Sequence, residues 1–209
     1  MLGTQAGTSN SDAATRPAAT VGAECLAALR RVAIVERTAS PDAAHSACTI
    51  PDPVRLLAVK GKFEVKFTGT PTLDCPMASA LVDFVTNVAQ PLARHHMDKT
   101  LTEISTGPGF SCRRRNNAST GKLSEHAFGN GVDITGFKFG EELGFTVAAS
   151  SELQEPQADF QAALRKSACG WFTTILGPGS DGAHGTHLHF DLGRTADLKP
   201  GREPYRICN

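Results

Sequence analysis

The chain of 209 residues lacks several features that would place it in a familiar class. Its 21 basic and 21 acidic residues cancel, and its longest basic run is Arg113-Arg114-Arg115, so we expect no nucleic-acid partner. No stretch approaches the ~20 apolar residues that a membrane span requires. Internal repeats are also missing, and the length suits one domain with a sizeable core.

Common catalytic and metal-binding motifs are absent as well. No Cys-x-x-Cys pair is present, which argues against a cysteine zinc site or a thioredoxin-type redox motif. The chain contains neither the Gly-x-Ser-x-Gly motif of serine hydrolases nor the His-Glu-x-x-His helix of zincins. Any metal site must therefore take its ligands from another arrangement.

Cysteine is present in an even number, and the cysteines are spread along the chain. They are Cys25, Cys48, Cys75, Cys112, Cys169 and Cys208. This pattern predicts three disulfides in an oxidising compartment, either the periplasm or the extracellular space. Cys112 and Cys169 are both plausible partners for Cys208. The alternative is six buried free thiols in a cytosolic protein.

The first residues have the composition of an unfolded segment. Met1 to about Thr20 is rich in Ala, Thr, Ser and Gly, and it lacks the basic start and apolar stretch of a signal peptide. We interpret residues 1–22 as a disordered leader and residues 23–209 as the folded domain. An oxidised protein would then have lost its signal before this sequence begins, or would leave the cytoplasm by another route.

Apolar periodicity predicts an α+β fold in which helices flank a small, mainly antiparallel sheet. Helices are expected at Glu24 to Val35, from Pro76 until Pro91 kinks or ends the helix, and at Pro156 to Cys169. Strands are expected at residues 54–58, 63–68, 101–106, 132–139, 145–149 and 171–176.

The stretch from Gly185 to Gly193 is the most informative part of the chain. Strand alternation places His187, His189 and Asp191 on one face and apolar side chains on the other. Imidazole and carboxylate groups both suit Zn²⁺, so this strand predicts part of a metal site. The alternative is a pair of surface histidines without a ligand.

A second cluster makes the metal interpretation stronger. His126 and Asp133 lie on either side of an Asn130-Gly131 turn signal, and chain reversal there could bring them together. Either His189 or His187 could then supply a third ligand. Three protein ligands and one open position are typical of a catalytic zinc site.

Both clusters resemble the metal motifs of the LAS metallopeptidases, which include lysostaphin-type enzymes, D-Ala-D-Ala carboxypeptidases and the hedgehog fold. The matching motifs are Ser124-x-His126-x-x-Gly129-x-x-x-Asp133 and His184-x-x-His187-x-His189. Together with Ser111-Cys112-Arg113 and Leu176-Gly177-Pro178-Gly179, these motifs resemble the extensin-like C-terminal domain family of bacteria, and the resemblance covers most of Cys25 to Cys208. The motif spacings are also similar to those of murein DD-endopeptidases.

The resemblance implies an LAS- or hedgehog-like α+β fold and a zinc peptidase acting on peptidoglycan peptides. It implies that His126, Asp133 and His189 bind zinc. It further implies that His187 is the catalytic imidazole, that His184 supports it, and that Arg113 polarises or anchors the scissile peptide.

Two supporting residues complete the expected site. Asp191 could orient one imidazole from behind, although a solvated carboxylate is the alternative reading, and Ser124 is placed in the same supporting group.

Two other functions stay open at this point. Some members of the LAS superfamily bind without cleaving, so the chain could be a non-catalytic, zinc-stabilised module that binds the cell wall. The missing signal peptide also fits a secreted antibacterial peptidoglycan hydrolase, which would have an immunity protein as its partner. The loops that decide between carboxypeptidase and endopeptidase activity are not readable from sequence patterns.

Overall fold

The computed structural model describes residues 18–41, 46–141, 143–193 and 206–208. These residues form the predicted α+β fold. The α-helices are α1 (Ala18–Val32), α2 (Cys75–Phe84), α3 (Gln90–Met97) and α4 (Glu155–Ala168). The strands are β1 (Ala33–Arg37), β2 (Pro53–Val59), β3 (Val65–Phe67), β4 (Thr72–Asp74), β5 (Leu101–Thr106), β6 (Gly131–Phe139), β7 (Leu143–Thr146), β8 (Thr174–Leu176), β9 (Leu188–Asp191) and β10 (Ile207–Cys208).

One mixed sheet organises the fold. Its strand order is β1-β2-β3-β5-β6-β9-β8-β10, with β4 beside β2 and β7 beside β6. Most pairs are antiparallel, but β3 runs parallel to β5 and β8 runs parallel to β10. The sheet is therefore not purely antiparallel. A parallel pair needs a crossover connection, and between β3 and β5 this connection contains α2 and α3.

The first helix differs from its predicted extent of Glu24 to Val35. Helix α1 starts at Ala18, and residues 1–17 of the predicted leader lie outside the described residues. The helix ends at Val32, because the following Ala-Ile-Val segment pairs with β2 as an edge strand. In that strand Ala33 and Val35 are buried while Ile34 is exposed, which is strand alternation rather than a helical stripe.

The helix that contains Pro91 does not end there. A π-helix at Val85–Ala89 joins α2 directly to α3. Proline cannot donate the next backbone hydrogen bond, and the wider π turn before Pro91 accommodates this defect without stopping the helix. Of the two predicted outcomes at Pro91, a kink or an end of the helix, the end is therefore wrong, and the helical segment continues to Met97.

Buried phenylalanines hold the sheet against the helices. Phe84 on the α2 helix contacts Phe172 and Phe190 edge-on, with ring centroids 5.4 and 5.7 Å apart. Phe190 is fully buried and lies next to His189 in β9. Core packing on Phe190 therefore fixes the strand that carries the predicted metal ligand.

Three disulfides are present, as predicted. Cys25 pairs with Cys75, Cys48 with Cys112, and Cys169 with Cys208, so one of the two expected partners of Cys208 is correct. Such a set is typical of proteins from oxidising compartments. Among the described residues, no helix combines the length and the apolarity that a membrane crossing demands.

Candidate metal centre

Two neighbouring strands bring two of the predicted ligands together. Asp133 in β6 and His189 in β9 are direct partners in the antiparallel ladder. Side chains of directly paired residues point to the same face of a sheet, so the carboxylate and the imidazole meet. Their neighbours Val132 and Phe190 are fully buried and point to the opposite face.

His126 reaches the same place from a short 3₁₀ helix, Glu125–Phe128, just before β6. Ser124 caps this helix, and its Oγ accepts a hydrogen bond from the His126 N–H at 3.4 Å. The chain then turns through Gly129, which has a φ of +63°. A Cβ atom there would lie 2.7 Å from the backbone nitrogen of Asp74, so both this close approach and the positive φ favour glycine.

The three ligand atoms form a compact triangle. His126 Nε2 lies 3.1 Å from Asp133 Oδ1 and 3.1 Å from His189 Nδ1, and the latter two atoms are 2.9 Å apart. Tetrahedral zinc sites have metal–ligand bonds of about 2.0–2.2 Å, which places ligand atoms roughly 3.3 Å from one another. The residues therefore fit three positions of a tetrahedral metal site after small adjustments.

Hydrogen bonds at the far side of each imidazole fix which nitrogen faces the triangle. His126 Nδ1 lies 2.6 Å from the Gly109 carbonyl oxygen, and His189 Nε2 lies 3.0 Å from Asp191 Oδ2. Both oxygens can only accept, so these two nitrogens carry protons. When a metal is bound, the opposite nitrogens offer it their lone pairs; without a metal, a proton on one of them is donated to Asp133 Oδ1. Asp191 thus orients an imidazole, as the sequence suggested.

The electrostatics of the triangle favour a positive charge at its centre. Burial alone would lower the pKa of His189, but hydrogen bonds to Asp133 and Asp191 outweigh it and raise that pKa to about 9. Burial would raise the pKa of Asp133, yet hydrogen bonds from His126 and His189 hold it well below its usual range. Either a proton or a metal ion can supply the charge that these acceptors require.

Two further histidines lie beside the triangle. His187 precedes β9, and its Nε2 is 3.7 Å from Asp133 Oδ1. Burial lowers the pKa of His187 in spite of the nearby Asp133 carboxylate, so its imidazole is neutral near pH 7. The His184 ring lies 5.0 Å from that of His187 and 5.8 Å from that of His189, centroid to centroid.

A cleft of about 180 Å³ opens beside the ligands. Its walls come from the loop before the 3₁₀ helix, the loop before β9, and Ile207 of β10. The predicted site residues that line it are Arg113, Ser124, His126, His184, His189 and Asp191. Within the described parts of the chain, the Arg113 guanidinium has no hydrogen bond or ion pair, so it is available to a ligand in the cleft.

The match to a protein-family model identifies the family of the chain. Residues 23–208 match the protein-family model described as "Extensin-like protein C-terminus". The chain belongs to this extensin-like family. No curated protein and no solved structure matches it. The match spans every residue of the triangle and of the cleft, so the site is part of the extensin-like domain.

Sequence reasoning missed a polar network behind the ligands of the extensin-like domain. Glu125 is almost fully buried and accepts hydrogen bonds from Arg115 at 3.3 Å and from Asn130 Nδ2 at 2.9 Å. Asn130 also donates to the Gly193 carbonyl at 3.1 Å, which ties the His126 turn to the end of β9. The position of Glu125 directly before His126 was the signal that could have revealed it.

Proposed function

We propose that this extensin-like domain is a zinc-dependent peptidase that hydrolyses a peptide bond in peptidoglycan, in a cross-link or in a stem peptide. The observation that carries the proposal is the triangle of His126 Nε2, Asp133 Oδ1 and His189 Nδ1 at the edge of a cleft. Two imidazoles and one carboxylate are a ligand set that zinc uses in catalytic sites with an open fourth position. The likeness of these motifs to those of the LAS peptidases supports the same reading.

The three ligands would hold the metal, and the remaining residues would handle the substrate. When bound there, zinc supplies Lewis-acid chemistry for a water molecule and for the scissile carbonyl. Arg113 lines the cleft and can donate hydrogen bonds to a substrate carbonyl or carboxylate. His184 and His187 lie beside the triangle, and either imidazole can accept or donate a proton there.

His187 is the residue best placed for proton transfer. Its imidazole is neutral at pH 7, because burial lowers its pKa, and it adjoins the triangle through Asp133. In the proposed reaction, His187 accepts the proton of the attacking water while the water oxygen bonds to the peptide carbon. The protonated ring then donates that proton to the departing amine nitrogen as the C–N bond breaks, so His187 returns to its starting state.

Peptidoglycan is favoured as the substrate by the compartment that the disulfides indicate. The three disulfides are typical of proteins outside the cytoplasm, which is where peptidoglycan lies. We therefore place the activity in the periplasm or outside the cell. The proposal leaves the choice between endopeptidase and carboxypeptidase to the muropeptide analysis below.

Mass spectrometry of muropeptides before and after incubation tests the function directly. The zinc-loaded protein should convert cross-linked or full-length stem peptides into shorter products, a chelator should stop this, and added zinc should restore it. His95→Ala removes an exposed histidine on α3 and serves as the matched control, which should retain activity. Zinc-loaded protein that leaves murein from several sources intact would contradict the proposal.

A metal-stabilised module that binds the cell wall without cutting it is the second candidate. The network of Glu125, Asn130 and Arg115 favours it, because this network links the ligand-bearing turn to the strand end as a structural site would require. Under this alternative, His187→Ala would leave every cell-wall effect unchanged, whereas His126→Ala would prevent folding. The two histidines beside the triangle favour the peptidase.

A further inference from the structure

The loop before β9 contains a carboxylate that the proposed function does not use. Asp181 Oδ1 accepts three hydrogen bonds, from the backbone N–H of Ala183 at 2.8 Å, from the backbone N–H of His184 at 3.1 Å, and from His184 Nδ1 at 2.6 Å. The hydrogen bond from His184 holds the pKa of Asp181 below its usual range, so the group is a carboxylate at neutral pH.

We propose that Asp181 is a positioning residue that fixes the orientation and the tautomer of His184, so that His184 Nε2 serves as a proton acceptor in the cleft. A carboxylate can only accept, so the proton of a neutral His184 lies on Nδ1 and the lone pair lies on Nε2. This inference rests on the proposed function for the use of that lone pair. The orientation itself follows from the hydrogen bonds alone.

The Asp181 carboxylate is bound to both the backbone and the ring of His184. The oxygen that accepts from the His184 ring also accepts from the His184 main chain, so the carboxylate is set by the backbone of the residue that it orients. The Asp181 side chain is 38% exposed, which means that packing does not hold it in place. The His184 side chain is only 11% exposed and contacts His187 and His189.

This arrangement gives the two histidines of the loop different environments. His187 faces the Asp133 carboxylate of the triangle, whereas His184 is bonded to a carboxylate outside the triangle. A fixed acceptor on His184 can take a hydrogen bond from His187 or from a substrate N–H group. The rate of turnover should therefore depend on Asp181 even though this residue touches neither the ligand triangle nor His187 among the described contacts.

The same loop has a second anchor that does not involve His184. Ser180 Oγ accepts from the Gly177 N–H at 3.0 Å and from Arg165 Nη2 at 2.5 Å, and Arg165 Nη1 donates to the Pro178 carbonyl at 2.8 Å. Ser180→Ala therefore loosens the loop without removing the partner of the His184 ring. It is the matched control for a general effect of loop mobility.

The test compares Asp181→Ala, Asp181→Asn and Ser180→Ala in the full-length, zinc-loaded protein. The ring ¹⁵N shifts of labelled histidine report the His184 tautomer by NMR, and muropeptide turnover gives kcat and KM. In Asp181→Ala we expect loss of the pure Nδ1–H tautomer and a fall in kcat of about 10- to 100-fold, with KM changed by no more than about 3-fold. Asp181→Asn keeps an oxygen that accepts the same three hydrogen bonds, so it should restore both the tautomer and most of kcat.

Three results would overturn the inference. They are a wild-type His184 with its proton on Nε2, an Asp181→Ala variant with native tautomer and native kcat, and a Ser180→Ala variant that loses as much kcat as Asp181→Ala. A protein without any peptidase activity would sink the proposed function instead. In that case the positioning role would still be supported if the His184 tautomer changed in Asp181→Ala and was restored in Asp181→Asn.

Discussion

The ligand triangle and the walls of the cleft are built in different ways. Asp133 and His189 lie on paired central strands, so the backbone ladder and the buried core set the distance between them. Arg113 and His184 lie on loops, where single hydrogen bonds set their positions. The Arg113 N–H donates to the Ser111 carbonyl, and the His184 ring donates to the Asp181 carboxylate. The geometry of the ligands is thus a property of the sheet, whereas the groups that would meet a substrate depend on local contacts.

This difference separates metal binding from turnover. Changes within the triangle should alter the metal content and the stability of the fold together, because the same residues serve both. Changes on the loops should alter the rate while the metal stays bound. The following predictions test this separation, beginning with the largest expected effect.

His189→Ala should have the largest effect. It removes one ligand atom and also leaves the Asp133 and Asp191 carboxylates without their shared partner in a buried place. We expect complete loss of bound zinc and of activity, and a free energy of unfolding lower by about 3 kcal/mol. Elemental analysis and denaturant unfolding measure these effects, with His95→Ala as the control. One zinc ion per chain in the variant would refute the assignment of this ligand.

His187→Ala should affect turnover and spare the metal. Its Nε2 lies beside the triangle but does not belong to the three ligand atoms. Loss of a general acid and base lowers kcat by about 10²- to 10⁴-fold, and the zinc content and the melting temperature should stay at their wild-type values. The kcat and the zinc content are measured on the same preparation, by kinetics and by elemental analysis. A parallel loss of zinc would show that His187 belongs with the ligands instead.

Asp191→Asn should weaken metal binding without abolishing it. The carboxylate orients His189 through Nε2 and also accepts the Gly193 N–H at 2.8 Å, so an amide retains the shape but loses the charge. We expect zinc affinity to fall by about 10- to 100-fold in competition with a chromogenic chelator. Asp159→Asn on the exposed face of α4 is the matched control. An unchanged zinc affinity would show that the charge of Asp191 does not contribute to metal binding.

The pH dependence of the metal-free protein should show the smallest effect. The pKa of His189 is raised to about 9, so its contribution to stability is complete below the unfolded value of about 6.5 and is lost as the pH rises through 9. The pKa of Asp133 is lowered, so its contribution is present above about 4 and is lost as the pH falls through the folded value.

The melting temperature of chelator-treated protein should therefore decline by a few degrees as the pH rises from about 6.5 towards 9. The alkaline decline should disappear in His189→Ala, which lacks the titrating group. Scanning calorimetry across this range provides the measurement. A metal-free wild type whose stability stays level up to pH 9 would contradict the prediction.

The sequence was informative where the chemistry is local. Alternation in β9 placed His189 and Asp191 on one face. The turn that brings His126 back towards Asp133 was predicted at Asn130-Gly131, but it lies earlier, at Gly129, because Gly131 already pairs with β9. The sequence did not predict the register between β6 and β9, because residues 56 positions apart are paired only by the arrangement of the whole sheet. The sequence also could not predict the Gly109 carbonyl as the partner of His126, because every residue offers the same backbone carbonyl group.

Other parts failed for similar reasons. Periodicity gave the strand β6 but not the parallel pairs, which depend on crossovers rather than on local pattern. Pro91 is a strong local breaker, yet tertiary packing of α3 and the π turn override it. Asp181 lies three residues before His184, a spacing that could have suggested the contact had the loop conformation been known.

Strand β10 contributes to the wall of the cleft and is held in place chiefly by a disulfide. It has two residues, and among the described strands it pairs only with β8, so its backbone contacts hold it weakly. The Cys169–Cys208 bond fastens it covalently, and Ile207 beside that bond forms part of the cleft wall. In a reduced chain only this short pairing with β8 would hold Ile207 in the cleft wall, so we expect this side of the cleft to depend on formation of the Cys169–Cys208 disulfide.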